Sequence, residues 1–169
     1  MEIASIIQKL EAHQAVFQNM FANLSEDEIR WRPYPEHWCL LEIVCHLCDE
    51  EREDFRLRTR SILDNPDQQL PAIDPVGWVK ERAYLDQDFT EKLALFLKER
   101  AASIAWLRQL EHPNWNNAYH HPSLGKITAR QFLINWLAHD FLHIRQITRV
   151  KYLYLAHKSG EDITYAGQW

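Results

Sequence analysis

Proline and glycine are confined to a few narrow windows, and this confinement constrains the fold more than any other feature of the chain. They stand at Pro33 and Pro35; Pro66, Pro71, Pro75 and Gly77; Pro113, Pro122 and Gly125; Gly160 and Gly167. Between them run four breaker-free segments, 1–32, 36–65, 78–112 and 126–159. Proline inside a helix costs about 3 kcal/mol and glycine about 1 kcal/mol, so this punctuation predicts four long helices. The apolar period agrees. Ile3, Ile6, Leu10, Phe17, Met20 and Leu24 share one face of the first segment, and Leu40, Val44, Leu47, Phe55 and Ile62 one face of the second. Phe89, Leu93, Phe96, Leu97, Ile104 and Leu107 mark the third, and Phe132, Trp136, Ile147 and Val150 the fourth. Asp88-x2-Glu91 and Thr128-x2-Gln131 are capping-box patterns for the last two helices, and Ser25-x2-Glu28 opens a short extra turn. No period-2 run with turn dipeptides occurs, so strands are not expected. The expectation is an all-α four-helix bundle, one domain over 1–169. Its connections after the second and third helices, 66–77 and 113–126, are long, and such loops often cover a site.

Composition narrows the function. The hydrophobic share is 46% with seven tryptophans, which suits a packed core rather than a disordered chain. A net charge of −5 offers no basic footprint for nucleic acid. No segment approaches the roughly 20 apolar residues of a membrane span, and the acidic, amphipathic start does not read as a secretory signal. Cys39, Cys45 and Cys48 crowd into ten residues. An odd, clustered set is a poor disulfide framework and points to a reducing cytoplasm.

The chemistry concentrates in the fourth segment. His139 and His143 lie one helical turn apart on its apolar side, so their rings can share one metal ion. Unpaired, each would be a costly buried polar group; ordinary core hydrogen bonding is the competing explanation. His46 flanks the stripe of the second helix and can reach inward toward the fourth. One histidine from one helix and two from another leave a coordination position open, which is the catalytic rather than the closed structural arrangement.

These residues carry a resemblance. Trp31-Arg-Pro33, then Trp38 opening a helix, then Glu42-x3-His46, and finally His139-x3-His143-x2-Gln146 resemble the DinB/YfiT-like superfamily, in motif order and over nearly the whole chain. The resemblance implies a bundle that holds one divalent ion on His46, His139 and His143, with zinc expected first and nickel or iron as alternatives. It also implies a homodimer and a metal-dependent enzyme acting on a small molecule. Its most concrete form is a transferase that uses a low-molecular-weight thiol; a hydrolase is the related form. A metal-bound thiolate or hydroxide would be the nucleophile. The alternative is a non-catalytic, metal-stabilised helical binding or stress protein. One departure is Cys39, at a helix start that often carries Ser or Thr; a thiol caps weakly, which leaves the helix start open.

Further residues are candidates beside a bland alternative. Glu50, four residues after His46, reads as a general base or as a hydrogen-bond partner of a ligand imidazole, against a solvated helix charge. Asp140 points away from His139 and reads as a surface or interhelix partner. Arg100 falls in the middle of the third apolar stripe. It reads as an anchor for a substrate carboxylate, against a stem that packs while its guanidinium reaches solvent or an acid. Cys45 and Cys48 read as packing residues, His13 as a satisfied core histidine, and His120-His121 as part of a surface loop.

Overall fold

The structure, a computed structural model, describes residues 1–167. Seven α-helices appear among them: α1 Ile3–Met20, α2 Glu26–Arg30, α3 Leu40–Asp49, α4 Leu57–Asp64, α5 Trp78–Glu81, α6 Phe89–Gln109 and α7 Ala129–Ser159. A π-helical segment, Glu50–Arg56, joins α3 to α4 without a break, so the second predicted helix exists but changes pitch halfway. The caps read from sequence are present. Asp88 Oδ1 accepts from Glu91 N at 2.8 Å, Thr128 Oγ1 from Gln131 N at 3.1 Å, and Ser25 Oγ from Glu28 N at 3.2 Å. Cys39 is the N-cap of α3. There the Glu42 carboxylate accepts from Cys39 N at 2.9 Å, the reciprocal bond of a capping box that fixes the helix start at this residue.

Side-chain pairings give the topology. Phe17 meets Phe96, Phe21 meets Phe89, and Arg108 reaches Glu11, so α1 and α6 are antiparallel. His13 pairs with Asp140 and Lys151 reaches Met20, so α1 and α7 are parallel. Arg100 meets Glu51, Arg56 meets Ser103 and Arg60 lies over Trp106, so the second long helix runs parallel to α6. His46 meets His143 while Phe55 meets Trp136, so it runs antiparallel to α7. The bundle is therefore up-down-down-up, with α1 and the α3–α4 helix each packed between α6 and α7. Two successive parallel helices need a connection running the length of the bundle, which is why 65–88 is long.

Two sequence expectations need correction. The segment 78–112 is not one helix. Ala83 adopts the left-handed region at φ 46°, a turn of 3-10 helix follows at Tyr84–Asp86, and α6 starts only after Asp88. This piece, with α2, covers the outer side of α3, and every residue from Leu40 to Asp49 is buried. The chain also contains strands. Ala118–His121 and Gly125–Thr128 form an antiparallel hairpin in register Ala118↔Thr128 to His121↔Gly125. Four-residue strands are too short to show a period-2 pattern, and the hairpin is held at its base by Ala129 N to Asn117 O and by a long-range bond from Asn117 Nδ2 to Leu63 O of α4. His120 and His121 thus belong to a strand rather than a loop. The hairpin caps one end of the bundle, whose class stays a four-helix bundle.

Candidate metal centre

α3 brings His46 to α7, where His139 and His143 stand one turn apart. The Nε2 atoms converge: His46 to His139 at 3.3 Å and His143 to His139 at 3.0 Å, with all three ligand atoms within 4.8 Å of one another. Two nitrogens on a tetrahedral zinc ion, each at 2.0–2.1 Å, are about 3.3 Å apart. The spacing therefore fits a shared ion. Hydrogen bonding alone does not fit. A neutral imidazole has one N–H, and the Nδ1–H of His143 is directed at Gln146 Oε1, 2.8 Å away. His143 Nε2 is then a lone pair, and a single proton on His139 Nε2 cannot serve both neighbours. Without an ion, one contact sets two acceptors against each other.

The electrostatics agree. Burial, with the neighbouring imidazoles, pushes His46 down to about 3 and His139 to about 2 from an ordinary 6.5, and burial takes His143 to about 4. All three are neutral near pH 7, which is the ligating form. The rings are held from outside as well. Trp38 packs on His46 at 4.8 Å and Phe55 on His139 at 4.9 Å between centroids. Gln146 fixes the tautomer of His143. Sequence pointed to Gln146 only as part of a motif and to Phe55 only as a member of the second apolar stripe.

Glu50 is not part of the converging group. It sits on the first turn of the π-helical segment, 4% exposed, with Oε1 unpartnered. Burial and the adjacent Asp54 carboxyl push it up to about 8. It is not the solvated helix charge of the bland alternative.

Arg100 is corrected. Its guanidinium is 1% exposed and all five N–H groups are taken. Nε donates to Glu51 at 3.0 Å, Nη1 to Leu10 O at 3.3 Å and Asp140 Oδ2 at 2.7 Å, and Nη2 to Asp140 Oδ1 at 2.8 Å and to Glu51 at 2.9 Å. No donor remains for a substrate carboxylate. Asp140 is an interhelix partner with no surface exposure. Burial pushes its carboxyl up, but Arg100 and His13 outweigh that and hold it below 3.8. Glu51 also accepts from Trp136 Nε1 at 2.9 Å, and His13 meets Asp140 at 3.0 Å. This buried network lies directly beneath the triad, because Asp140 follows His139 and Trp136 precedes it by one turn.

Cys39, Cys45 and Cys48 are free and buried. Burial pushes Cys45 up to about 12 and Cys48 to about 11, so neither is a thiolate at neutral pH. Replacing both with alanine is expected to leave metal content unchanged while lowering the melting temperature. Metal analysis beside a melting curve checks this, and loss of metal would contradict it.

The shifts also set a pH profile for the metal-free protein. The folded imidazoles titrate below 6.5, so the unfolded chain takes up protons first and stability is lost as pH falls below about 6.5. Glu50 has the opposite sign. Its folded value lies above the ordinary 4.5, so the stability it leaves declines as pH rises from 4.5 toward 8. Melting after chelation should peak at about pH 6.5–7, and Glu50→Gln should flatten the alkaline limb. A melting temperature that climbs steadily from pH 7 down to pH 5 would show the histidine assignment to be wrong, and an alkaline limb unchanged in Glu50→Gln would do the same for Glu50.

A four-helix bundle with three neutral histidines converging from two of its helices defines a class of metal-binding helical protein. The family model of the DinB superfamily matches residues 9–147, and the chain belongs to that superfamily. In solved structures it is similar to YfiT from Bacillus subtilis, described as a probable metal-dependent hydrolase with an unusual four-helix bundle topology. The TM-score is 0.78 at 21% identity, over 93% of this chain and 87% of the other, a likeness that shows the shared fold. None of the curated proteins matches the sequence. Among the described residues no helix is long and apolar enough to cross a membrane.

Proposed function

We propose that the chain is a divalent-metal-dependent enzyme acting on a small molecule, most concretely a transferase that uses a low-molecular-weight thiol. The observation that carries this reading is the convergence of three neutral imidazole nitrogens from two helices, a donor set that leaves a position open for an exogenous ligand. Zinc suits this set, and nickel or iron would suit it too. A divalent ion bound there supplies Lewis acidity, which lowers the pKa of a coordinated thiol or water. The chain's own residues do the rest. Gln146 orients His143, Trp38 and Phe55 pack two of the rings and limit water, and Glu50 is a buried carboxyl that holds or takes a proton near neutral pH.

Consumption of a panel of small electrophiles, with and without an added thiol, tests the proposal, run with zinc-loaded and chelated protein. Metal-dependent, thiol-dependent turnover is the expected result. Turnover that needs zinc but no thiol would assign hydrolysis instead, the reaction class given for YfiT. A fold that melts on chelation, with no turnover in any arm, would assign the non-catalytic, metal-stabilised alternative.

Two further proposals rest on surface and composition. The outer face of α7 exposes Ile134, Phe141 and Leu155, two and four helical turns apart, 42%, 53% and 57% exposed, which supports a homodimer through this helix. Three free buried thiols support a reducing, cytoplasmic setting. Sedimentation of wild type against Phe141→Glu checks the first, with a monomeric wild type counting against it.

A further inference from the structure

A cleft of about 650 Å³ opens beside the triad, and metal ligand His143 with its partner Gln146 forms part of its wall. Trp38, the ring packed on His46, lines it as well, and Leu142 adds an apolar surface. Arg145 and Arg149 complete this wall of α7. They are four residues apart, so they share one face and one turn of the helix.

These two arginines differ from the other ten. Arg30, Arg32, Arg52, Arg56, Arg58, Arg82, Arg100 and Arg108 each pair with a carboxylate. Arg60 lies over Trp106, and Arg130 donates to Met1 O. Among the described residues Arg145 and Arg149 are the only arginines with no hydrogen bond, ion pair or ring partner. No aspartate or glutamate among the described residues lines the cleft. In a chain of net charge −5, two uncompensated guanidinium groups at one cleft are a local reversal of sign.

We propose that Arg145 and Arg149 bind an anionic group, a carboxylate or phosphate, of the small molecule that engages the metal centre. The guanidinium fork matches the oxygens of either group. Arg145 and Arg149 follow His143 by two and six residues, a rise of about 3 and 9 Å along the helix. The ligand is thus bifunctional, with one end at the triad and an anionic end roughly one helical turn away. This inference rests on the metal-centre reading above and adds to it the charge class of the substrate. It also moves the anion anchor from Arg100, whose donors are all taken, to the neighbouring helix face.

The test compares 3-mercaptopropionate with 3-mercapto-1-propanol, a thiol of the same length without the charge, by calorimetry on zinc-loaded protein. Wild type should bind the carboxylate about tenfold tighter or more, the gain of a charge-assisted hydrogen bond. In Arg145→Gln/Arg149→Gln that preference should fall to about twofold or less, while the alcohol binds as before. Zinc content should not change, because neither side chain has a partner to lose, and Arg145→Lys/Arg149→Lys should restore part of the preference. An unchanged carboxylate-to-alcohol ratio in the glutamine variant, with zinc bound, overturns the inference. Failure of the metal reading shows differently, as absent zinc uptake. Inorganic phosphate titrated into metal-free protein, followed by the arginine Nε–H resonances, then decides: shifts lost in the glutamine variant support the anion site, and no shift in wild type overturns it.

Discussion

Replacing Arg100 with methionine is expected to destabilise the protein by about 3–5 kcal/mol, the cost of breaking a buried ion pair while its partners remain. The stem's packing survives, since methionine fills similar space, but Glu51 and Asp140 are left as two buried carboxyl groups without a counter-charge. Both are 1% exposed or less, so water cannot replace the guanidinium. The variant should also shift its stability toward acid. Asp140 now sits below 3.8 because Arg100 and His13 oppose the effect of burial, and without Arg100 burial raises it. A raised folded value gives stability that is present at low pH and lost as pH rises. Denaturant unfolding at pH 5 and pH 7.5 measures both effects. Adding Glu51→Gln and Asp140→Asn should recover part of the loss, since these neighbours share one network and do not add independently. A loss under 1 kcal/mol would remove the network from the account of the fold.

His143→Ala should abolish metal binding. Wild type is expected to take up one zinc ion per chain and to gain about 2.7 kcal/mol at a hundredfold excess over its Kd. The variant keeps two imidazoles but loses the nitrogen that Gln146 orients, and its melting temperature should not respond to zinc. Gln146→Leu is the finer probe. It leaves all three ligands in place, frees the His143 tautomer, and should weaken zinc binding about 10- to 100-fold. Competition with a chromophoric chelator reads all three proteins. A His143→Ala variant that retains wild-type zinc uptake would mean that the converging imidazoles are not the site.

Much of this architecture is legible in one dimension because the signals behind it are local. Helix breakers and caps act within a few residues, so the four long segments and the starts of α6 and α7 follow from spacing alone. The pair His139 and His143 is legible for the same reason, since a four-residue spacing on a helix is a distance. His46 is legible as a candidate because the wheel places it at the edge of an apolar stripe. The interruption at Ala83 and the short hairpin are not. Nothing at Ala83 forbids helix, and its left-handed backbone is tolerated because Trp78 and Tyr84 bury against α3 on either side.

Local spacing thus yields a set of helices, their apolar faces and three imidazoles with a family motif around them. Which charges meet is settled by how the helices pack. Arg100 reads alike as an anchor or a packed stem until Glu51 and Asp140 are seen to close on it from two other helices. Glu50 and Glu51 are neighbours in sequence, yet one faces Asp54 and the other faces Arg100 and Trp136. Adjacent residues point to different sides of a helix, and the positions of α6 and α7 decide which of the two meets Arg100 and Trp136. Arg145 and Arg149 carry the converse lesson. Nothing local marks them among twelve arginines, and they stand out only because the fold gives ten of the twelve a partner and leaves these two beside the three converging histidines.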